Sequence, residues 1–209
     1  MEALCSIYWY PLYGFIRRQG HTPEEAQDLT QEFFARLLER ELIRLANQER
    51  GRLRTFLLAS LKNFLVSEWR KGQTLRRNAG SLVSLDADAA EDRYGGEPSD
   101  QLSPDALYDK RWAAALLDQV VCRLGDEYAV QGKRELFERL KTSVWGTAGA
   151  PPYDEMCSHL GMTKGALKVA VHRLRRRFVE LLRTEVANTL TDPADVDGEL
   201  RYLIQVMSE

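Results

Sequence analysis

The chain has 209 residues, of which 44% are hydrophobic and 29% charged, so it can form one large or two small domains with apolar cores. No apolar run approaches the length of a bilayer-spanning helix, and we expect no membrane insertion. The formal net charge of −2 would by itself argue against a nucleic-acid ligand, but the charge is segregated along the chain. Residues 162–183 carry seven Lys or Arg and one Glu, residues 78–106 carry seven acids and one Arg, and residues 185–209 carry six acids and one Arg. One basic segment therefore lies between two acidic ones.

The first two helical patterns lie in the N-terminal quarter. Residues 2–19 alternate aromatic and aliphatic side chains, and Pro11 is expected to kink or divide this helix. Thr22-Pro23-Glu24-Glu25 is a capping box with proline at the first helical position, and it predicts a helix to about Leu45. Opposite the apolar face of that helix runs a polar strip of Asp28, Gln31, Glu32, Ala35 and Glu39. Taken alone, the strip fits a solvated face with a Glu32–Arg36 ion pair.

A third helix is predicted from near Leu53 to Lys71. Phe56 and Phe64 fall on or beside its apolar stripe and are expected in the core. Its other side combines cations, an amide and an indole ring: Arg52, Lys62, Asn63, Trp69, Arg70 and Lys71. Cations follow the phosphates of single-stranded DNA, and aromatic rings accept unstacked bases. This side of the helix is therefore a candidate surface for single-stranded DNA.

Residues 76–107 are predicted to form a flexible acidic linker, because Gly, Pro, Ser and Asp are frequent there and apolar residues are few. Helical periodicity returns from Asp105, a further helix is expected at Lys133–Leu140, and a short apolar one at Leu200–Met207. No alternating strand pattern competes with these helices. The sequence predicts an all-α protein of two small helical domains joined by the linker, the second ending in a helix-turn-helix.

Residues 153–183 are the most informative segment. A short helix ends at Gly161, which can adopt the left-handed conformation, and Thr163 can cap the helix that follows. In that helix one apolar stripe is formed by Leu167, Val171, Leu174, Phe178 and Leu181. Outward of the stripe lie the candidate DNA-facing residues Thr163, Lys164, Lys168, Val169, His172, Arg173 and Arg176. A helix, a tight turn and a basic amphipathic helix are typical of a helix-turn-helix reader of the DNA major groove.

Neither a metal site nor a catalytic site is indicated. Cys5, Cys122 and Cys157 are far apart and form no metal-binding pair, so we expect buried, reduced thiols. The carboxylates of the polar strip have no histidine or third acid at ligand spacing. We therefore expect no cofactor and no enzymatic activity.

Three segments together resemble a known family. Glu24–Leu38 resembles the clamp-binding helix of the sigma-70 family, in particular of the compact extracytoplasmic-function sigma factors. Leu53–Arg70 resembles the adjoining helices that melt and read the promoter −10 element, and Tyr153–Lys168 resembles the helix-turn-helix of the −35-reading module. The resemblance covers two different domains in the expected order.

The resemblance implies a transcription initiation factor whose partners are core RNA polymerase and promoter DNA. The polar strip would bind polymerase, the surface of the third helix would open the −10 element, and the basic helix would read the −35 element. It implies a first domain at 1–75, a linker at 76–107, a second domain at 108–184 and an acidic extension at 185–209. It also implies a cytoplasmic, nucleoid-associated protein, with an anti-sigma factor or other regulator as a further candidate partner.

Two questions remain open at this point. The alternative function is an autonomous helix-turn-helix regulator whose N-terminal helices sense a ligand or dimerise, and it predicts tight duplex binding by the protein alone. The acidic extension has three alternative roles: to cover the basic helix intramolecularly, to dock a regulator, or none.

Overall fold

The computed structural model describes residues 2–39, 51–72, 87–96, 102–145 and 152–208. This part of the chain is helical and contains no strand, which confirms the predicted all-α fold. Its helices are α1 Glu2–Arg18, α2 Pro23–Glu39, α3 Leu53–Gly72, α4 Ala87–Gly96, α5 Pro104–Val130, α6 Arg134–Leu140, α7 Tyr153–Leu160, α8 Lys164–Ala187 and α9 Val196–Ser208. Short 3₁₀ helices occupy Lys141–Trp145 and Pro193–Asp195. Across the described ranges, no helix is long and apolar enough to span a membrane.

Some predicted features lie outside the described residues. These are the end of the second predicted helix at 40–45, the linker stretches 76–86 and 97–101, and most of the loop before Pro152. The side chains of Glu39 and Lys71 also lie outside the description, although both residues belong to helices.

The chain divides into two compact units whose bounds differ from the predicted domains. The first unit consists of Met1–Ala115 together with Ala187–Glu209, and the second of Leu116–Val186. The start of α5, which we expected in the second domain, thus lies in the first unit. So does the acidic extension, because α9 buries Val196, Leu203 and Val206 there.

The core of the first unit is built around α1. This helix is buried from Ile7 to Phe15 on nearly every side, and it continues through Pro11 as a single element. Trp112 of α5 is fully buried, and its Nε1–H donates a hydrogen bond to the Tyr8 hydroxyl at 3.2 Å. A helix that is apolar all round is one that belongs in the interior of a domain.

Part of the predicted linker is helical. Glu91 of α4 accepts hydrogen bonds from the Arg17 guanidinium at 2.7 and 3.0 Å and from the Tyr13 hydroxyl. The hydrogen bond from Arg17 holds the pKa of the Glu91 carboxyl below its usual range. Composition pointed to flexibility at 87–96, whereas a specific ion pair with α1 fixes this stretch as a helix.

The second unit is closed by the apolar face of α8. The predicted stripe is confirmed, since all five of its residues are buried: Leu167, Val171, Leu174, Phe178 and Leu181. The expectation of buried thiols is wrong for Cys122, which is exposed on α5, and only partly right for the half-buried Cys5 and Cys157. Cys122 lies on a solvent-facing position of its helix, which periodicity alone did not distinguish.

Candidate nucleic-acid interface

The polar strip lies on α2, and the predicted capping box fixes the start of that helix. The Thr22 hydroxyl accepts a hydrogen bond from the Glu25 amide at 3.2 Å, and the Glu25 carboxylate accepts one from the Thr22 amide at 3.1 Å. Asp28 is exposed on the helix, whereas Gln31, Glu32 and Ala35 are half-buried; Glu39 is the last residue of α2. Among the strip residues whose side chains are described, Asp28 is therefore the most open.

Glu32 is engaged within the first unit. It accepts a hydrogen bond from Arg36, as the spacing predicts, and Arg36 also lies 2.8 Å from the Glu68 carboxylate of α3. The Arg36 guanidinium stacks over the ring of Phe64 at 4.7 Å. This cluster joins α2 to α3, so Glu32 serves the packing of the unit as well as any surface.

The outer side of α3 combines aromatic, apolar and polar groups in solvent. Trp69 is 68% exposed and Val66 is 50% exposed. Lys62, Asn63 and Arg70 are also exposed. Phe64 is buried and Phe56 half-buried, so their expected core positions are confirmed for Phe64 and largely so for Phe56. A shallow groove of about 410 Å³ runs beside Trp69 and is lined by Gln19, His21, Leu65, Val66, Trp69 and Arg70.

Two of the candidate cations form ion pairs with acids from outside α3. Lys62 Nζ lies 2.6 Å from Asp105 at the start of α5, and both side chains are about half exposed. Arg52 Nε lies 2.9 Å from Glu199 of α9. An exposed pair such as Lys62–Asp105 contributes only about 0–1 kcal/mol, so it presents a small obstacle to a competing phosphate.

Sequence reasoning missed Arg54, which is buried beside this surface. Its guanidinium lies 2.6 Å from Glu199 and 2.8 Å from Asp109, and it stacks over Tyr202 at 4.0 Å. The Tyr108 hydroxyl donates to the Arg54 carbonyl at 3.1 Å. The sequence does contain a signal that Arg54 is buried, because Arg54 lies on the same helical face as the buried Leu57 and Leu61. A cation on a buried face needs a buried acid, although the pattern does not say which.

In the second unit, the turn between α7 and α8 has the predicted caps. Gly161 adopts the left-handed conformation at φ 61°, and its amide donates to the Cys157 carbonyl. The Met162 amide donates to the same carbonyl at 3.1 Å. The Thr163 hydroxyl accepts a hydrogen bond from the Ala166 amide at 3.2 Å, as an N-cap does. Both capping predictions are confirmed, and α8 starts immediately after a tight turn.

The outward side of α8 brings together the predicted DNA-facing residues. All seven of them are exposed: Thr163, Lys164, Lys168, Val169, His172, Arg173 and Arg176. Arg176 is 71% exposed and lies 3.4 Å from Glu180. Lys164 forms a 2.6 Å ion pair with Asp154 of α7 across the turn. This face is basic, solvent-accessible and carried by a single helix.

Two neighbouring arginines of α8 instead donate hydrogen bonds to acceptors within the second unit. Arg177 donates to both oxygens of the Glu127 carboxylate at 2.7 and 2.8 Å, and Arg175 donates to the Ser143 carbonyl at 2.7 Å. The hydrogen bonds from Arg177 lower the pKa of Glu127 below its usual range. These two side chains therefore connect α8 to its neighbours rather than adding to the outward face.

The described residues contain no group of three or more His, Cys, Asp or Glu placed to hold a metal ion.

Comparison with known proteins bears on the first unit. Residues 10–74 match the family model of sigma-70 region 2. The match extends from the middle of α1 through α2 and α3, and it includes the polar strip and the outer side of α3. No curated protein and no solved structure gives a significant match. Residues 10–74 are thus similar to a sigma-70 region 2, and the likeness to the sigma-70 family rests on this segment.

Proposed function

We propose that the protein is a sigma factor of the extracytoplasmic-function type, which binds core RNA polymerase and directs it to promoters through their −10 and −35 elements. The observation that carries this proposal is the sigma-70 region 2 match over a segment whose outer helix exposes Trp69 beside cations. The polymerase carries out the chemistry of transcription, so the protein itself needs no catalytic group. It would act in the cytoplasm, at the nucleoid.

The outer side of α3 suits an opened −10 element. Asn63, Val66 and Arg70 follow one another at helical spacing, and Trp69 lies at the edge of the same exposed side. An unstacked base can lie on the indole ring, which is worth about 1–3 kcal/mol per base. The Asn63 amide can both donate to and accept from a base edge. Lys62, Arg70 and Lys71 would contact the phosphates, and Arg52 would do so at the start of the helix.

The outward face of α8 suits the major groove at the −35 element. A recognition helix presents the residues of its first turns to the bases, and here Lys168, Val169, His172 and Arg173 occupy those turns. Lys and Arg favour guanine edges, and each good bidentate contact discriminates by about 1–3 kcal/mol. Thr163 and Lys164 at the helix N-terminus would lie near phosphates.

The autonomous regulator is the weaker candidate. A one-component regulator has no use for an exposed indole and amide on α3, and it is not expected to contain a sigma-70 region 2. DNA binding by the protein alone distinguishes the two functions. The regulator binds duplex DNA tightly by itself, whereas the sigma factor acquires sequence specificity only with polymerase.

Capture of core RNA polymerase by the purified protein tests the proposal. Asp28→Ala removes an exposed carboxylate of the polar strip, and we expect polymerase capture to fall at least tenfold, which corresponds to about 1.4 kcal/mol. Glu24→Ala is the matched control, because Glu24 is an exposed carboxylate of the same helix outside the strip. The combined Asp28→Ala/Glu32→Ala variant should lose capture altogether.

Run-off transcription on a fragment library with the captured polymerase then identifies promoters. A sigma factor requires new, sequence-specific transcripts that depend on the protein and disappear with Trp69→Ala. Absence of polymerase capture by the intact protein, together with sequence-specific duplex binding alone, would establish the autonomous regulator instead.

A further inference from the structure

The C-terminal segment Ala187–Ser208 attaches to the chain at the start of α3. The Leu53 amide donates a hydrogen bond to the Thr189 carbonyl at 3.1 Å. Arg52 and Leu190 form an antiparallel bridge, and the Thr191 hydroxyl donates to the Gly51 carbonyl at 3.3 Å. Gly51, Arg52 and Leu53, at the start of α3, are therefore each held at their own backbone by residues 189–191.

Glu199 of α9 is the centre of this attachment. Its side chain is 1% exposed. Its carboxylate oxygens lie 2.6 Å from Arg54 Nε and 2.9 Å from Arg52 Nε. Arg54 is fixed from the other side by Asp109, which also accepts a hydrogen bond from the Tyr202 hydroxyl at 2.6 Å. A buried carboxylate with two guanidinium partners cannot leave them without a large desolvation penalty. Glu199 is thus a fixed part of the first unit.

The two arginines beside Glu199 differ in exposure. The Arg54 side chain is 7% exposed, so its charge serves the interior, whereas the Arg52 side chain is 40% exposed. Arg52 uses its Nε edge to bind Glu199, and a guanidinium has further N–H donors in a rigid fork. The side chain is therefore restrained at its Nε edge, lies with its guanidinium 5.9 Å from the centre of the Tyr202 ring, and keeps 40% of its surface open to solvent.

A carboxylate beside a DNA-facing cation can act in two opposite ways. It can compete with phosphate for the cation, or it can hold the cation in a fixed orientation and so reduce the ordering cost of binding. Competition requires an acid that can be displaced, as at the exposed Lys62–Asp105 pair. Burial of Glu199 and its second partner Arg54 exclude easy displacement, and they favour the second effect.

We infer that Glu199 is a positioning residue for promoter opening: from the far end of the chain it orients Arg52 toward the DNA backbone at the start of α3. The inference rests on the proposed function, and it makes the acidic extension a working part of the −10-reading unit. The extension is then not an inert tail.

Promoter opening by holoenzyme tests the inference, with a fragment recovered by run-off transcription as the probe and permanganate reactivity as the readout. Glu199→Gln keeps the shape of the side chain but removes its charge, and we expect opening to fall about tenfold, as for loss of one charge-assisted hydrogen bond. Arg52→Ala should give the same loss. The double variant should lose no more opening than either single variant, because each single change removes the same contact between Arg52 and Glu199.

Matched variants separate positioning from general stability. Asp197→Asn removes an exposed carboxylate from the same helix and should leave opening unchanged. Arg52→Lys keeps the charge but loses the rigid fork of guanidinium N–H donors. Promoter opening should therefore fall nearly as far as with Arg52→Ala. If Glu199→Gln does not fold, Glu199→Asp, which retains the charge, replaces it and should retain partial opening.

Four outcomes would overturn the inference. Increased opening in Glu199→Gln would mean that Glu199 competes with DNA, and an undiminished effect of Glu199→Gln in the Arg52→Ala background would mean a structural role alone. Normal opening in Arg52→Ala, when Trp69→Ala abolishes it, would remove Arg52 from the DNA surface while leaving the proposed function intact. If the wild-type protein supports no polymerase-dependent opening, the proposed function fails and the inference falls with it.

Discussion

Among single residues, Gly125 sets how closely α5 and α6 approach in the second unit. A Cβ atom at this position would lie 2.8 Å from Cε1 of Phe137. The Phe137 ring is buried and packs against Tyr128 with 5.8 Å between ring centroids. The ring therefore has little room to move away, and a side chain at this position must strain the packing.

We expect Gly125→Ala to destabilise the second unit by about 1–3 kcal/mol, the usual cost of overpacking a core. Gly165→Ala is the control, since Gly165 is also helical and a Cβ there meets open space. That change should be neutral or stabilising by up to about 1 kcal/mol. Urea unfolding with an unchanged m value measures both. Equal stability of the two variants would show that the Phe137 ring yields without cost.

Most helices were predictable because their signals are local. The caps at Thr22, Gly161 and Thr163 and the apolar stripe of α8 all depend on residues within a few positions of one another. Helix α4 was not predictable in this way. Its position depends on the pairing of Glu91 with Arg17, which is 74 residues distant and invisible to periodicity.

The candidate site shows the same division. The exposure of Trp69 and of the outward residues of α8 follows from helical spacing, and the sequence predicted it. The attachment of the extension to α3 could not be predicted from helical spacing, because Arg54 and Glu199 are 145 residues apart. Each is a charge on an otherwise apolar helical face, and such charges of opposite sign indicate a buried pair. Helical spacing therefore indicates that each of these charges needs a buried partner of opposite sign, but it does not identify that partner.

The outward face of α8 makes a prediction about the salt dependence of DNA binding. Removal of one phosphate-binding side chain should reduce the magnitude of the slope of log K against log salt by about 1. We expect this from Lys164→Ala and from Arg176→Ala, whose side chains are exposed on that face. Holoenzyme titrations of a promoter fragment at several salt concentrations provide the slopes.

Arg177→Ala is the matched control for this prediction, because Glu127 and Glu180 hold that guanidinium within the second unit. It should lower the stability of the unit and leave the slope unchanged. A slope reduced by Arg177→Ala as much as by Arg176→Ala would mean that the Glu127 clamp opens on DNA, and that the basic face is wider than the free protein indicates.

In the whole molecule, the first unit is assembled from both ends of the chain. The polypeptide leaves this unit within α5 and returns to it after Val186. The returning segment supplies the Thr189 carbonyl for the first amide of α3 and the Glu199 carboxylate for buried Arg54. A segment of residues 10–74 by itself lacks both groups. The first turn of α3 should therefore be less stable in that segment than in the full sequence.

A chain ending at Val186 tests this dependence. Removing Glu199 leaves the buried Arg54 without its shortest ion pair, a loss that typically costs about 3–5 kcal/mol. We therefore expect amides in the first turns of α3 to exchange with solvent at least a hundredfold faster, as measured by hydrogen-exchange mass spectrometry. Amides of α6 and α7, which lie in the second unit, serve as the internal control and should keep their protection. Unchanged protection in α3 would mean that this helix is stable without the extension, and that the ion pair contributes only to the orientation of Arg52.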